Sequence, residues 1–164
     1  MGLARPNVIQ RLTQRVGSTN VGTWAFRTVL LPLDRTLVGK SEGRRSLPGF
    51  LLGLPVAMLV TTGARTGLSR TAPVVVLRAG TLIAVLGTNF GQERVPAWDA
   101  NLRSSPLASI TWRGISVRVR ARQATEQEET EVWPIAAAAY AGFTAYRRRV
   151  TTRQVTVWVL EPAA

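Results

Sequence analysis

The sequence predicts an α+β fold, mainly antiparallel, in which a small closed β-barrel carries inserted helices and is preceded by N-terminal helices. Three observations predict it. Short runs rich in Val, Ile and Thr recur from about residue 57 to residue 160 and are bounded by Gly and Pro, which is the pattern of strands. Two of the joints, Ala79-Gly80 and Arg113-Gly114, are short enough for tight hairpins. Between the strands, Thr125 with Glu128 three residues later forms a capping box, the opening of a helix.

The elements follow in order. Residues 6–16 place Val8, Ile9, Leu12 and Val16 on one side and Arg11, Gln14 and Arg15 on the other, an amphipathic helix. Residues 17–22 break it, and residues 24–38 form a second apolar segment that Pro32 kinks or ends. Residues 39–45 are a basic polar loop. Residues 47–60 are the most apolar run, about 14 residues long and interrupted by Pro48, Gly49, Gly53 and Pro55. A membrane-spanning helix needs about 20, so this run leads into the first strand. The chain thus divides into a helical, amphipathic segment, 1–50, and a barrel domain, 51–164.

Within the barrel, strands are expected at 57–62, 72–78 and 81–87, then at 107–112, 115–123 and 154–160. In the fifth of these, Ile115, Val117, Val119 and Ala121 alternate with Ser116, Arg118, Arg120 and Arg122, one buried face and one wet basic face. Pro96 is expected at the first position of a short helix ending near Arg103, and Pro106 bars its continuation. The helix opened by Thr125 runs to about Tyr140 with Pro134 inside it, and a shorter one covers 143–149, ending in Arg147-Arg148-Arg149.

Composition excludes several chemistries. The 164 residues contain neither Cys nor His. That removes disulfides, thiolate metal sites, cysteine nucleophiles and a Ser-His-Asp hydrolase, and takes away the commonest metal ligand and general base. No metal site is expected. Difficult chemistry must come from a cofactor or from Tyr, Ser, Asp, Glu, Lys and Arg. The net charge of +12 calls for an anionic partner, either a polyanionic cofactor or an acidic membrane face. No block of five basic residues occurs and aromatics are not interleaved with the cations, so nucleic acid is not the expected partner.

The loop 63–70, between the first two strands, holds two glycines, Arg65 and Arg70, and the hydroxyls of Thr66 and Ser69. Glycines let backbone approach a ligand and arginines give bidentate donors to phosphate or carboxylate, so the loop suits an anion. A solvated turn with surface arginines is the alternative reading of the same residues.

The string from Thr61 to Pro73 resembles the TTGR-x-[ST]-G-x-x-R-x-x-P signature of the deazaflavin-dependent nitroreductase family. Gly87-Thr88-Asn89-Phe90-Gly91, followed by Pro96-Ala97-Trp98-Asp99-Ala100-Asn101-Leu102 and Pro106, is similar to that family's SNxG…HPAWYxNLxxNP region. Residues 139–146 resemble its YPxYxxYxxR segment and residues 155–162 its last strand. The four motifs keep their order over roughly 56–162.

The resemblance implies a split β-barrel of the FMN-binding kind that holds coenzyme F420 and moves a hydride to quinone-like or nitroaromatic acceptors. It implies that Arg65 and Arg70 carry the charge of the coenzyme's phosphate and glutamate tail, with Thr66 and Gly67 adding amide and hydroxyl contacts and Pro73 closing the motif. Thr88, Asn89 and Gly91 match the loop that meets the deazaflavin ring, Arg94 compensates for a Lys that several members have at Asn89, and Trp98 stands at a family position on the next helix. For Trp98 and Asn101, packing and capping are alternatives to ligand contact. Tyr140 and Tyr146 match acceptor-pocket aromatics and are the candidate catalytic residues, a hydroxyl steadying charge on a quinone or nitro oxygen; packing is their alternative role. The sequence departs from the pattern at Ala64 (usually Arg), Val95 (often His), Asp99 (commonly Tyr) and Phe143 (Tyr).

The expected function is therefore an F420-dependent oxidoreductase, a nitroreductase or quinone reductase; the alternative is a non-catalytic carrier of F420, flavin or fatty acid on the same barrel. Residues 1–20 lack a signal-peptide core. A cytoplasmic location is expected, peripheral on the inner membrane face through the basic, aromatic segment 1–50. The alternative for that segment is packing on the barrel or across a homodimer.

Overall fold

The computed structural model describes residues 54–163. The expected helices and loop of 6–45, the first half of the 47–60 run and the division at residue 50 lie outside the described residues. Seven strands and three helices follow: β1 (Val56–Thr62), β2 (Ser69–Val75), β3 (Leu77–Ala79), β4 (Leu82–Leu86), α1 (Ala97–Ser104), β5 (Leu107–Trp112), β6 (Ile115–Gln123), α2 (Glu126–Ala139), α3 (Ala141–Arg149) and β7 (Val157–Pro162). A single 3₁₀ turn, Asn89–Gly91, precedes α1.

The strands form one sheet in the order β2-β1-β5-β6-β7-β4-β3, every neighbouring pair antiparallel. Its two edges, β2 and β3, are separated in the chain by Val76 alone. One bent strand therefore serves both edges, pairing with β1 in its first half and β4 in its second, and the sheet curls into the expected barrel. The Val76 amide, at the bend, donates to the Pro55 carbonyl at 2.9 Å.

Two apolar clusters lie on opposite sides of β4. The barrel interior holds Leu59, Val74, Val85, Val119, Trp158 and Leu160, closed at one end by Leu102 of α1. The second lies outside the barrel, where Leu77, Ala84, Leu86 and Val157 meet Val132 and Ala136 of α2 and Phe143 and Tyr146 of α3. Ala84 and Leu86 thus point one way and Val85 the other, all buried, which accounts for the unbroken apolar run of β4. Burying Leu59, Val85 and Leu102 contributes about 1.5–3 kcal/mol each.

The helices follow their sequence signals closely. Thr125 Oγ1 accepts from the Glu128 amide and the Glu128 carboxylate accepts from the Thr125 amide, completing the capping box. Arg122 Nη1 and Nη2 grip the same carboxylate at 2.7 Å each, and Arg122 Nε reaches Glu161 at 2.7 Å. The Arg122 hydrogen bonds, with help from the Thr125 amide, lower the Glu128 pKa to about 2. Helix α2 runs through Pro134 and ends at Tyr140, whose extended backbone also starts α3. The arginine triplet forms the last turn of α3, where cations suit the helix dipole.

Four expectations are corrected. Pro96 caps α1 from outside rather than occupying its first turn. The β3–β4 turn is made by Gly80-Thr81, with Ala79 still paired to Leu82. The last strand begins at Val157 rather than 154, because pairing with β4 and β6 runs only from there. The buried face of β6 is real only at Val119 and Ala121. Ile115 is 70 % exposed and Val117 45 %, because β6 pairs with β7 only from Val119 onward, so residues 112–117 project past the barrel. No helix of the described residues is long and apolar enough to cross a membrane.

Candidate functional site

The loop joining β1 to β2 is a tight, internally bonded turn. Gly63 N donates to Leu68 O at 2.8 Å, Gly67 N and Thr66 N both donate to Gly63 O, and Leu68 N donates to Thr66 Oγ1. A Cβ at Gly63 would meet Thr66 Oγ1 at 2.9 Å and Leu68 O at 3.1 Å, and Gly67 sits at φ +67°, so both glycines are required. This geometry corrects the expected amide contacts of Thr66 and Gly67: both amides are consumed inside the turn, whereas the Thr66 hydroxyl only accepts there, from Leu68 N at 3.4 Å. What remains outward are the Arg65 and Arg70 side chains, both exposed and neither in an ion pair among the described residues.

Strand register separates two residues that the motif lists together. Arg70 faces Thr61 and Pro73 faces Met58 on β1. Side chains alternate along a strand, so Arg70 lies on the side of buried Thr61, at the barrel mouth, and Pro73 lies on the outer face. The structure does not bring Pro73 to the arginine side.

Helix α1 anchors the loop. Asn101, 6 % exposed, accepts from Ala64 N through Oδ1 and donates from Nδ2 to Thr61 Oγ1, each at 2.9 Å. Trp98 is half-buried against the barrel interior. Asp99, wholly buried, lies across the helix from Asn101, its Oδ1 accepting from Arg103 Nε at 2.9 Å and its Oδ2 lacking a hydrogen-bond partner. A Cβ on Gly87 would collide with that oxygen, so Gly87 is the residue that lets α1 seat on the end of β4. Arg103 also donates to Thr156 Oγ1. Asp99, at a family tyrosine position, is thus a structural carboxylate here. Val95 borders a cleft of about 260 Å³ that it shares with Arg103, Arg153 and Thr156.

The segment between β4 and α1 is held in an uncommon conformation. Asn89, Phe90 and Gly91 have φ of 43°, 57° and 75°, three successive left-handed residues of which two carry side chains. Such backbone persists only where its surroundings fix it. Here the fixing groups come from residues 151–153, which the sequence reading did not single out. Glu93 accepts from the backbone amides and hydroxyls of both Thr151 and Thr152, at 2.6–3.1 Å. These bonds, the Thr151 amide first, lower the Glu93 pKa to about 2. Arg153 donates to the carbonyls of Glu93 (2.8 Å), Gln92 (2.9 Å) and Thr88 (3.5 Å). Asn89 Nδ2 donates to Arg94 O at 2.8 Å, so Asn89 braces the turn, while the Arg94 side chain is exposed. Gly91 passes so close to α3 that a Cβ would lie 3.1 Å from Tyr146 Cα. Thr88 is 6 % exposed.

Tyr140 and Tyr146 are brought together, but inside the outer cluster. Each is 4 % exposed, and their hydroxyls lie 3.1 Å apart. Burial, then the neighbouring Tyr146, pushes the Tyr140 hydroxyl pKa upward. Any Cβ at Gly142 would collide with the Tyr140 ring, so that glycine lets the ring fold back over α3. Phe90 meets Tyr146 edge-on at 6.1 Å. Matched by resemblance to aromatics that line an acceptor pocket, the pair is buried and backs the strained turn. Burial of both rings favours packing, the alternative role that the sequence offered.

The predicted residues therefore fall into two groups joined by α1: Arg65 and Arg70 with Asn101 at one end of the barrel, and the 88–94 turn backed by Tyr146 and clasped by Glu93 and Arg153. No set of three acidic residues that could hold a metal exists among the described residues.

Comparison with known proteins identifies the family. Residues 34–162 match the family described as F420H(2)-dependent quinone reductase. An F420H(2)-dependent quinone reductase of Mycobacterium tuberculosis, Rv1261c, is 28% identical over 149 residues, covering 86% of this chain and 97% of that protein. Among solved structures, an F420-H2 dependent reductase, FDR-A, superposes with a TM-score of 0.59 at 25% identity, over 65% of this chain and 94% of its own. A domain-swapped dimer superposes with a TM-score of 0.60 at 23% identity, over 79% of this chain and 99% of its own, and shares the fold.

Proposed function

The chain belongs to the F420H(2)-dependent quinone reductase family, and from that premise we propose that it is an F420-dependent oxidoreductase passing a hydride to a quinone-like acceptor. The observation that carries the reading is the pair of exposed guanidinium groups, Arg65 on the β1–β2 turn and Arg70 at the start of β2, beside a turn whose amides at Gly63, Ala64, Thr66, Gly67 and Leu68 are engaged within the protein. Two cations without acidic partners among the described residues fit a polyanionic tail, and the donor set suits F420 in its charge. When bound, reduced F420 supplies the hydride.

The chain's own residues then do three things. Arg65 and Arg70 hold the coenzyme's anionic tail, and Asn101 keeps their turn in register with β1. The 88–91 turn, fixed by Arg153 and Glu93, presents Thr88, Asn89 and Gly91 toward the ring side of the site, with Arg94 supplying a further charge and Trp98 an aromatic wall. Tyr140 and Tyr146 act as positioning residues behind Phe90 rather than as donors to the acceptor. A prearranged site of this kind accelerates transfer by orientation and needs no protein acid or base, which suits a chain without His or Cys. Nitroaromatic compounds are a second acceptor class of the same electron-poor character. Residues 1–50, basic and aromatic, hold the protein at an anionic membrane surface where quinones reside. A homodimer is the assembly proposed.

Titration of the purified protein with F420, FMN and FAD, followed by coenzyme fluorescence, tests this reading. F420 binds more tightly than FMN, and Arg70→Ala weakens F420 by about 1.5–3 kcal/mol, the range for a charge-assisted bond. Tighter binding of FMN than of F420 refutes the coenzyme assignment.

A further inference from the structure

We propose that the tip of the β5–β6 hairpin is a second, folded membrane-docking element that inserts Trp112, Ile115 and Val117 into the headgroup region of an anionic lipid surface. Pairing of Trp112 with Ile115 and of Ile110 with Val117 puts these side chains on one face of the hairpin. That face is continuous with the barrel interior at Val119 and Ala121, but beyond the end of β7 nothing among the described residues covers it. Trp112 is 39 % exposed, and Ile115 and Val117 more so. An apolar patch at a protruding tip marks a contact surface.

The chemistry around the tip selects the partner. Residues 107–123 contain four arginines and no acidic residue. Arg122 is engaged by Glu128 and Glu161, while Arg113, Arg118 and Arg120 are exposed and form no ion pair among the described residues. The Arg113 guanidinium lies over the Trp112 ring at 4.9 Å, an aromatic–cation couple with one apolar and one charged side, suited to a membrane–water boundary. Arg113 also occupies φ 52° in the turn with Gly114 at φ 83°, a position where Asn is the favoured side-chain residue. A cation held at an unfavourable angle at the apex is explained by a partner that wants charge there.

Other occupants fit less well. A second copy docked tip to tip would set three arginines against three with no acid between them. Residues 1–53 carry eight Lys and Arg against Asp34 and Glu42, so they too repel this surface. Anionic phosphate headgroups over an apolar layer complement both halves of the patch.

The absence of cysteine allows a direct test on the full chain. Ile115→Cys is labelled with the polarity-sensitive fluorophore NBD and mixed with vesicles of phosphatidylcholine alone or with phosphatidylglycerol. The label shifts to the blue and brightens with the anionic vesicles only, and raised salt reverses the change. The same label at Gln127→Cys, on the acidic first turn of α2, stays unchanged. Arg113→Glu with Arg118→Glu weakens the response at least about tenfold. Three results overturn the proposal. A label at 115 that ignores vesicles while the protein sediments with them assigns binding to other residues. A label shielded without vesicles at every protein concentration assigns the tip to the chain's own residues 1–53, and shielding that grows with concentration assigns it to a second copy. No coenzyme enters the assay, so its failure leaves the F420 reading untouched.

Discussion

Asn101 concentrates the energetics of the arginine turn in one side chain. Its Oδ1 restrains Ala64 N and its Nδ2 satisfies Thr61 Oγ1, in a place where both residues 61 and 101 are shut off from water. Asn101→Ala takes away the donor to the buried Thr61 hydroxyl, which keeps only its 3.4 Å bond to Arg70 O, and leaves the Ala64 amide unpaired; losses of this kind cost about 1–3 kcal/mol. Thermal unfolding should register that loss as a drop in Tm of several degrees. F420 affinity should fall with it, because Arg65 and Arg70 lose the frame that sets their spacing. An unchanged Tm would mean that water replaces the amide without cost. Sequence alone placed Asn101 on α1 but could not choose between capping, packing and ligand contact. The choice depends on distances to residues 37 and 40 positions away. Similarly, the amides of Thr66 and Gly67 read as ligand donors from the motif, while the turn's internal bonds use both of them.

At the scale of elements, the clasp between the 88–94 turn and residues 151–153 ties the site to pH. Glu93 is fully exposed, yet four hydrogen bonds hold its pKa at about 2, below its ordinary value. A carboxylate whose folded pKa is depressed stabilises the fold above its unfolded pKa, near 4.5, and loses that contribution as pH falls toward the folded value. Glu93→Gln should therefore be less stable than the wild type from neutral pH down to about 4.5. The two acid-unfolding curves, followed by circular dichroism, should converge as pH approaches 2. A gap that stays constant across that window would show that the carboxylate's charge is irrelevant to the clasp. None of this was legible in the sequence: Glu93 and Thr151 are 58 residues apart, and neither belongs to a local pattern. The capping box at Thr125 was legible because all its partners lie within one helical turn. The β5–β6 hairpin was read with its boundaries correct because Arg113-Gly114 is a two-residue joint between alternating runs. The exposure of its tip was not, since alternation reports which residues share a face and not where the neighbouring strand stops.

For the whole molecule, barrel closure is what brings the distant segments of the candidate site to one end of the sheet. The bent β2–β3 strand brings the arginine turn and the β4 end onto one curled sheet, and α1 joins them at the barrel mouth. The order of four motifs was enough to expect that fold, because each lies at a strand end or on an adjoining helix. The burial of Tyr140 and Tyr146 was beyond the motif, since it depends on how α2 and α3 pack on the outside of β3, β4 and β7. Membership of this family and the arginine pair together require that the barrel turn over reduced F420. The decisive measurement follows reduced F420 with purified protein and a menadione-like quinone. Coenzyme oxidation should be proportional to protein, faster with the quinone than with small hydrophilic carbonyls and strongly reduced in Arg65→Ala and Arg70→Ala. Tight F420 binding without oxidation by any quinone would contradict it and make the protein a carrier.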